Sequence, residues 1–293
     1  MTNQSSIQAA TKKNGNGGKV ALDRPVERLK NILNVESVQE QFKSVLQENA
    51  GAFVASIIDL YNTDKTLQMC DPKYVVMEAL KAASLKLPIN KQLGFAWIIP
   101  YKDNKTQSYI PTFQLGYKGY IQLCMRTGAY RYINADVVYE GELVSHDKLT
   151  GEIVLDAAQR TGDKKIGYFA FIETLNGFRK ALYMPMEDVI KHAKQYSKSY
   201  SNKSSPWTTD FDMMALKTCL RLLLGKYGVM SVEMQKAYVE DVKTDVVGAA
   251  DEAMFDDNVI DVDALDGMEA GEAPSNESMA QGTFTDDDTP AQD

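Results

Sequence analysis

Nine basic residues fall between positions 179 and 226: Arg179, Lys180, Lys191, Lys194, Lys198, Lys203, Lys217, Arg221 and Lys226. Four acids oppose them, Glu187, Asp188, Asp210 and Asp212, and Tyr183, Tyr196, Tyr200, Trp207 and Phe211 are interleaved. Cations mixed with rings suit a single-stranded nucleic acid, because charge follows the phosphates and bases stack on aromatic faces. Rings also build cores, which is the expectation for Phe211 and Tyr183. The sharpest local pattern runs from Thr208 to Tyr227, read as one long helix. At about 100° per residue, Phe211, Ala215, Thr218, Cys219 and Leu222 share a face. Leu216, Leu220 and Leu223 widen it well beyond a normal stripe. A narrow strip is left for Asp210, Lys217 and Arg221, the last two at i, i+4. Two cations emerging through a gap in an apolar surface need anionic partners. A carboxylate of the protein or a phosphate of a ligand would serve, and the cation surplus of the chain body favours phosphate.

A second cluster is Gln114-Leu115-Gly116-Tyr117-Lys118-Gly119-Tyr120, followed by Arg126 and Arg131. It joins a predicted strand to a predicted helix, where Gly116 would leave backbone N–H groups open to an anion. Other chemistries find little support. Gly15 to Lys19 lacks the G-x-x-x-x-G-K-[ST] spacing of a phosphate-cradling loop, so ATP-driven action is not expected. His146 and His192 belong to no H-E-x-x-H pattern and are expected at the surface, His146 in a turn. No G-x-S-x-G elbow occurs. No cofactor is implied. Asp71-Pro72-Lys73 and Asp163-Lys164-Lys165 supply the Asp-x-Lys of a metal-dependent nuclease, one rival reading, although Asp71 also suits a helix N-cap. An adaptor whose basic face meets an acidic protein is the other rival.

The elements that position these residues follow from periodicity. Pro25 opens a helix to about Leu33. Ser37 and Glu40 form a capping box for the next helix. Ala52 to Tyr61 continues helical, and Asp71-Pro72 starts a helix to about Leu85. Leu93 to Tyr101 and Tyr109 to Leu115 then form a hairpin whose tip carries Lys102 and Lys105. Gly116 to Arg126 is a helix ended by Gly128. Tyr130 to Tyr139 is a strand, and Leu143 to Ser145 pairs with Glu152 to Leu155. Asn176-Gly177 marks a type I′ hairpin between Gly167–Leu175 and Phe178–Met184. Helices return in the last third. The pattern predicts an α+β fold, a single domain with an antiparallel β-sheet and hairpins flanked by helices.

Of the 293 residues, 44% are hydrophobic and 25% charged, enough for a substantial core. No run approaches ~18 apolar residues, so no membrane span is expected. The polar first 18 residues do not read as a secretory signal. Three separated cysteines, Cys70, Cys124 and Cys219, point to a reducing cytoplasm. The net charge of −8 divides unevenly: residues 244–293 hold 15 acids and no Lys or Arg, leaving 32 basic and 25 acidic residues before them, a net of +7. The expected organisation is a disordered arm over 1–24, a DNA-binding core over 25–243 and a disordered acidic tail over 244–293.

Pro111-Thr112-Phe113-Gln114-Leu115-Gly116-Tyr117-Lys118-Gly119, with Arg126-Thr127-Gly128 closing the next helix, resembles the most typical segment of the RecT family. These are phage and prophage single-strand annealing proteins related to phage lambda's Red beta. Ser205-Pro206-Trp207-Thr208-Thr209, Met214-Ala215, Lys217-Thr218, Arg221 and Ser231 to Ala237 resemble a second signature, from which Asp210 and Leu222 depart. The resemblance spans about 25–240 and implies ATP-independent binding and annealing of single-stranded DNA within a homo-oligomeric ring or helical filament. It also implies an annealed duplex intermediate, a phage exonuclease as partner, and recombination of phage type without a catalytic site. Phe284 to Asp288 faintly resembles the acidic tip of bacterial single-strand-binding proteins, which suggests a host protein of that kind as a further partner. On this reading Lys118, Arg126, Arg131, Lys191, Lys198, Lys217 and Arg221 meet phosphates. Gln114 and Tyr117 meet sugar or bases, Trp207 stacks on DNA or wedges its helix start, and Lys102 and Lys105 close over the strand.

Overall fold

The computed structural model describes residues 24–103, 106–197, 199–203 and 205–246. The proposed arm and tail, apart from Arg24 and 244–246, lie outside these residues, as do Lys105, Lys198 and Phe284 to Asp288.

Four helices come first: α1 (Pro25–Leu33), α2 (Glu36–Leu46), α3 (Ala50–Thr63) and α4 (Pro72–Ser84). Each buries one stripe: Leu29 and Leu33; Val38, Phe42 and Leu46; Phe53, Ile57 and Leu60; Val75, Val76, Ala79 and Leu80. Pro25 sits in the first turn of α1 as expected, and the Asp71 carboxylate accepts the Lys73 N–H at 3.0 Å to cap α4. The capping box is corrected. The N-cap of α2 lies two residues earlier, at Val35, with no side-chain cap. Ser37 therefore lies inside the first turn, where its hydroxyl no longer stands over the open N–H groups.

Strands β1 (Ala96–Lys102) and β2 (Tyr109–Leu115) form a full antiparallel hairpin, from Ala96 opposite Leu115 to Lys102 opposite Tyr109. The Glu78 carboxylate on α4 accepts the Phe113 N–H at 2.7 Å, tying this hairpin to the helical layer. Helix α5 (Tyr117–Arg126) follows directly. A three-stranded antiparallel sheet, ordered β3-β6-β7, is built from β3 (Tyr130–Tyr139), β6 (Lys165–Thr174) and β7 (Arg179–Pro185). Strand β6 alternates as a sheet facing a core should, burying Tyr168, Ala170, Ile172 and Thr174. Strands β4 (Leu143–His146) and β5 (Ile153–Leu155) make a separate small hairpin. His146 ends β4 instead of lying in a turn, and it is exposed. The arrangement is α+β, with antiparallel sheets throughout.

The Asn176-Gly177 turn differs from the type I′ expectation. Gly177 has φ +85°, but Asn176 is not among the residues with positive φ. The Gly177 N–H donates to Thr174 O at 3.0 Å and the Thr174 N–H to Phe178 O at 2.9 Å. This is a three-residue loop, a type I turn closed by a left-handed glycine, which needs only one residue with positive φ.

Helices α6 (Met186–Tyr196), α7 (Pro206–Thr209), α8 (Phe211–Tyr227) and α9 (Val232–Val246) complete the described chain. The single helix expected from Thr208 is broken at Asp210, whose φ −139° and ψ 50° leave the helical region. Helix α8 lies against β6, β7 and β3 and is buried on nearly every side: Leu216, Lys217, Thr218, Cys219, Leu220, Arg221, Leu223 and Leu224 are all inside.

Candidate nucleic-acid interface

The two cations of α8 do not emerge through a gap. The Lys217 and Arg221 side chains are 6% and 8% exposed, and both pair with the fully buried Asp241 of α9. Lys217 Nζ lies 2.7 Å from Asp241 Oδ1, and an Arg221 Nη1 lies 3.7 Å from Oδ2. The same carboxylate accepts the Tyr120 hydroxyl at 2.7 Å and the Leu115 N–H at 3.3 Å. The expectation of phosphate at these two residues is therefore corrected for this conformation: the anion that desolvated cations require is a carboxylate of the chain itself. Sequence reasoning missed Asp241. A signal was present, because α9 buries Met234 and Ala237 and then places an acid at the next turn of that stripe.

The strand-to-helix junction is a close backbone crossing. The Gly116 N–H, expected to face an anion, donates to Phe95 O at 2.9 Å. A Cβ at Gly116 would collide with Gly94 O, and one at Gly119 with Phe95 O. Both glycines of Gly116-Tyr117-Lys118-Gly119 are thus needed for backbone approach. Gln114 is buried and donates from Nε2 to the Tyr101 hydroxyl at 2.7 Å across the hairpin. Tyr117 is half-buried, its phenol pKa raised by burial and secondarily by the charge of Asp136. Lys118 is exposed beside it.

Arg126 and Arg131 carry tertiary work. The Arg126 guanidinium donates to Leu85 O at 2.7 Å and Lys86 O at 3.0 Å, holding the end of α4. Arg131 pairs with Glu173 at 3.3 Å, yet its side chain is 62% exposed, and Arg179 shares that carboxylate at 3.3 Å. Lys102 is exposed at the end of β1. On α6, Lys191 and Lys194 are exposed and line a shallow depression with Glu187, Ile190 and Gln195. The neighbouring His192, expected at the surface, is half-buried with its ring 4.6 Å from that of Tyr196.

Trp207 is 7% exposed and stands edge-on to Phe211 at 5.6 Å, with Tyr200 at 6.1 Å. Of its two expected roles, this conformation has the wedge at the helix start, with the Ser205 hydroxyl accepting the Trp207 N–H at 3.3 Å. A further pair was not foreseen. Asp212 takes hydrogen bonds from Lys165 and from the Tyr168 hydroxyl, both at 2.6 Å. Burial pushes the Asp212 carboxyl up, but these two donors and the Lys165 charge outweigh it and hold it below the usual range. Asp71 serves as a cap, and Asp163 pairs with Arg160 at 2.6 Å. Among the described residues no three His, Cys, Asp or Glu side chains gather as a metal ion would require. No described helix is long and apolar enough to cross a membrane.

The glycine-crossed strand–helix junction and the cation-bearing helix α8 are the two segments of this α+β body whose residues resemble a known family. The chain belongs to the RecT family, whose model matches residues 51–254, and so to the DNA recombination and single-strand annealing proteins of phage type. It is similar to the uncharacterized protein YqaK of Bacillus subtilis (strain 168), 44% identical over 261 residues covering 88% of this chain and 87% of the relative. It is also similar to Protein RecT of Escherichia coli (strain K12), 26% identical over 249 residues covering 83% and 91%.

Proposed function

We propose that this chain binds single-stranded DNA and anneals it to a complementary strand without ATP, working as a homo-oligomeric ring or helical filament in the cytoplasm. The observation that carries the reading is the family match over 51–254, which contains every cation and ring assigned to DNA. Physically, annealing needs no fuel: stacking returns about 1.4 kcal/mol per step, so ten matched steps supply about 14 kcal/mol. The obstacles are repulsion between strands and the search for register. A cationic surface lowers the first, and an extended backbone with free base edges aids the second.

The assignments follow from exposure. Lys118, Lys191 and Lys102 are open to solvent and are assigned to phosphates, with Lys194 added beside Lys191. Arg131 joins them, since the Glu173 carboxylate it uses is shared with Arg179. Tyr117 offers a ring at the junction. Gln114, Arg126 and Trp207 act through what they hold: the hairpin, the end of α4 and the start of α8. Binding of this kind accepts any sequence, because it avoids base edges. A phage exonuclease that generates single strands, and a host single-strand-binding protein that coats them, are the proposed partners. The test is hybridisation of two complementary oligonucleotides by purified protein with nucleoside triphosphates withheld. Acceleration is expected; no acceleration in their absence would overturn the reading.

A further inference from the structure

Exposed apolar side chains are ordinary when scattered and informative when they gather. Four gather at one corner of the body. Leu175 and Phe178 stand on the β6–β7 turn, Tyr227 ends α8 and Val229 follows it, at 69%, 44%, 41% and 46% exposed. The Phe178 and Tyr227 rings lie 6.2 Å apart. The start of β3 joins the two segments. Its Tyr130 hydroxyl accepts the Val229 N–H at 2.6 Å and donates to the Val229 carbonyl at 2.9 Å, while the Leu175 N–H donates to Ala129 O at 2.9 Å. Phe178 is held outward by a braced turn: its N–H donates to Asn176 Oδ1 at 3.1 Å and its carbonyl accepts the Thr174 N–H at 2.9 Å. Cations rim the rings. Lys180 Nζ donates to Thr150 O and lies 5.1 Å from the centre of the Tyr227 ring. Arg179 and Lys226, next to the two rings in the chain, are exposed. Arg131, beside Tyr130, shares the one carboxylate of Glu173 with Arg179.

We infer that Phe178 and Tyr227, rimmed by Arg179, Lys180 and Lys226, form a stacking site for the bases of single-stranded DNA. This rests on the annealing reading and uses residues outside both segments that resemble the family. Every base has an apolar face that an exposed ring can cover, so such a site accepts any sequence. The braced turn presents the Phe178 ring before any ligand arrives, which lowers the ordering cost of binding. Charge selects the occupant. A second copy meeting this corner through its own equivalent would set one cationic rim against another. A single strand brings a phosphate with each base, which is what rings among cations complement. Strand β7 leads away from the corner to the start of α6, about 20 Å along the sheet. The corner is therefore a second place on the surface for a strand, apart from the α6 lysines.

The experiment titrates the full chain, Phe178→Ala and Phe178→Trp with two labelled ligands of equal length across a salt series. One ligand is oligo-dT and the other is the same backbone without bases. Phe178→Ala should bind oligo-dT about tenfold more weakly, the scale of one stacked base, with an unchanged salt slope. Its binding to the abasic backbone should equal that of the unmodified chain, and Phe178→Trp should keep full affinity for oligo-dT. Lys226→Ala should instead flatten the salt slope by about 0.7 on both ligands. Unchanged oligo-dT binding by Phe178→Ala, or an equal loss on both ligands, would overturn the inference. So would a change in sedimentation with no change in DNA affinity, which would assign the corner to a contact between copies. Should Phe178→Ala fail to fold, Tyr227→Leu, which keeps an apolar side chain and removes a ring, decides by the same comparison. Failure of the unmodified chain to bind either ligand would remove the annealing reading and this site with it.

Discussion

Helices α6 and α8 carry cations of the same chemical kind and use them in opposite ways. On α6, Lys191 and Lys194 stand in solvent beside a shallow depression. On α8, Lys217 and Arg221 are closed off and matched to Asp241. A positive residue at the surface is a weak, screened attraction that any polyanion can use. The same residue inside is a tertiary fastener whose loss strands its partner. Net charge cannot make this distinction, since both count as +1.

Breaking the buried side should give the largest effect. Lys217→Met removes the shorter of the two cation contacts to Asp241 and leaves Arg221 as its counter-charge, so a loss of about 2 kcal/mol, the scale of a buried hydrogen bond to a charged group, is expected in urea unfolding. A loss below about 0.5 kcal/mol, the scale of an ordinary surface change, would place Lys217 among the exposed cations after all.

The exposed side is sharpened by Lys191→Ala with Lys194→Ala. Stability should hardly change. The slope of log affinity against log salt for single-stranded DNA should flatten by about 0.7 for each phosphate that is no longer neutralised, equally for all base compositions. An unaltered slope would take α6 off the DNA path.

Asp212 tests the middle ground, because its pair with Lys165 is over a third exposed on both sides. Its carboxyl is held below the ordinary value, so its contribution is present above the unfolded pKa and fades as pH falls through the lower folded one. Asp212→Asn should lower stability at neutral pH by about 1 kcal/mol after solvent screening, and the difference should vanish in acid. A difference that persists in acid would assign the effect to packing.

The smallest effect belongs to the cysteines. Burial pushes the Cys70, Cys124 and Cys219 thiols up to about 12, so none is expected to react with a thiol reagent at neutral pH until the chain unfolds. Rapid modification of the native protein would show that one of these regions opens far more readily than its packing allows.

How much was legible in the sequence varied with the range of the interaction. Proline and aspartate at the start of α4 act on their nearest neighbours, and the helix begins where they say. The strand from Tyr130 to Tyr139 needs only its own residue types to be recognised, and its limits agree. The capping box of α2 and the type I′ turn are local readings from which the structure departs, the N-cap by two residues and the turn by one. At the site, Lys191, Lys118 and Lys102 remained exposed, as surface cations by composition usually do. Trp207 did not stay at the surface, because it packs across the α7–α8 junction on Phe211, and Arg126, although exposed, is engaged by a carbonyl 41 residues away at Leu85.

By itself the amino-acid order determined that an antiparallel sheet sits between two sets of helices, that the body is basic, and that the α8 helix is apolar on most sides. It also determined that a cation on that helix requires an anion. Which anion was decided by tertiary structure alone. Asp241 reaches Lys217 from 24 residues along the chain and Tyr120 from 121; the period of α9 marks the acid as facing inward but does not say which cations it meets. Only the packing of α9 across α5 and α8 brings that carboxylate out of water and into the charges it balances.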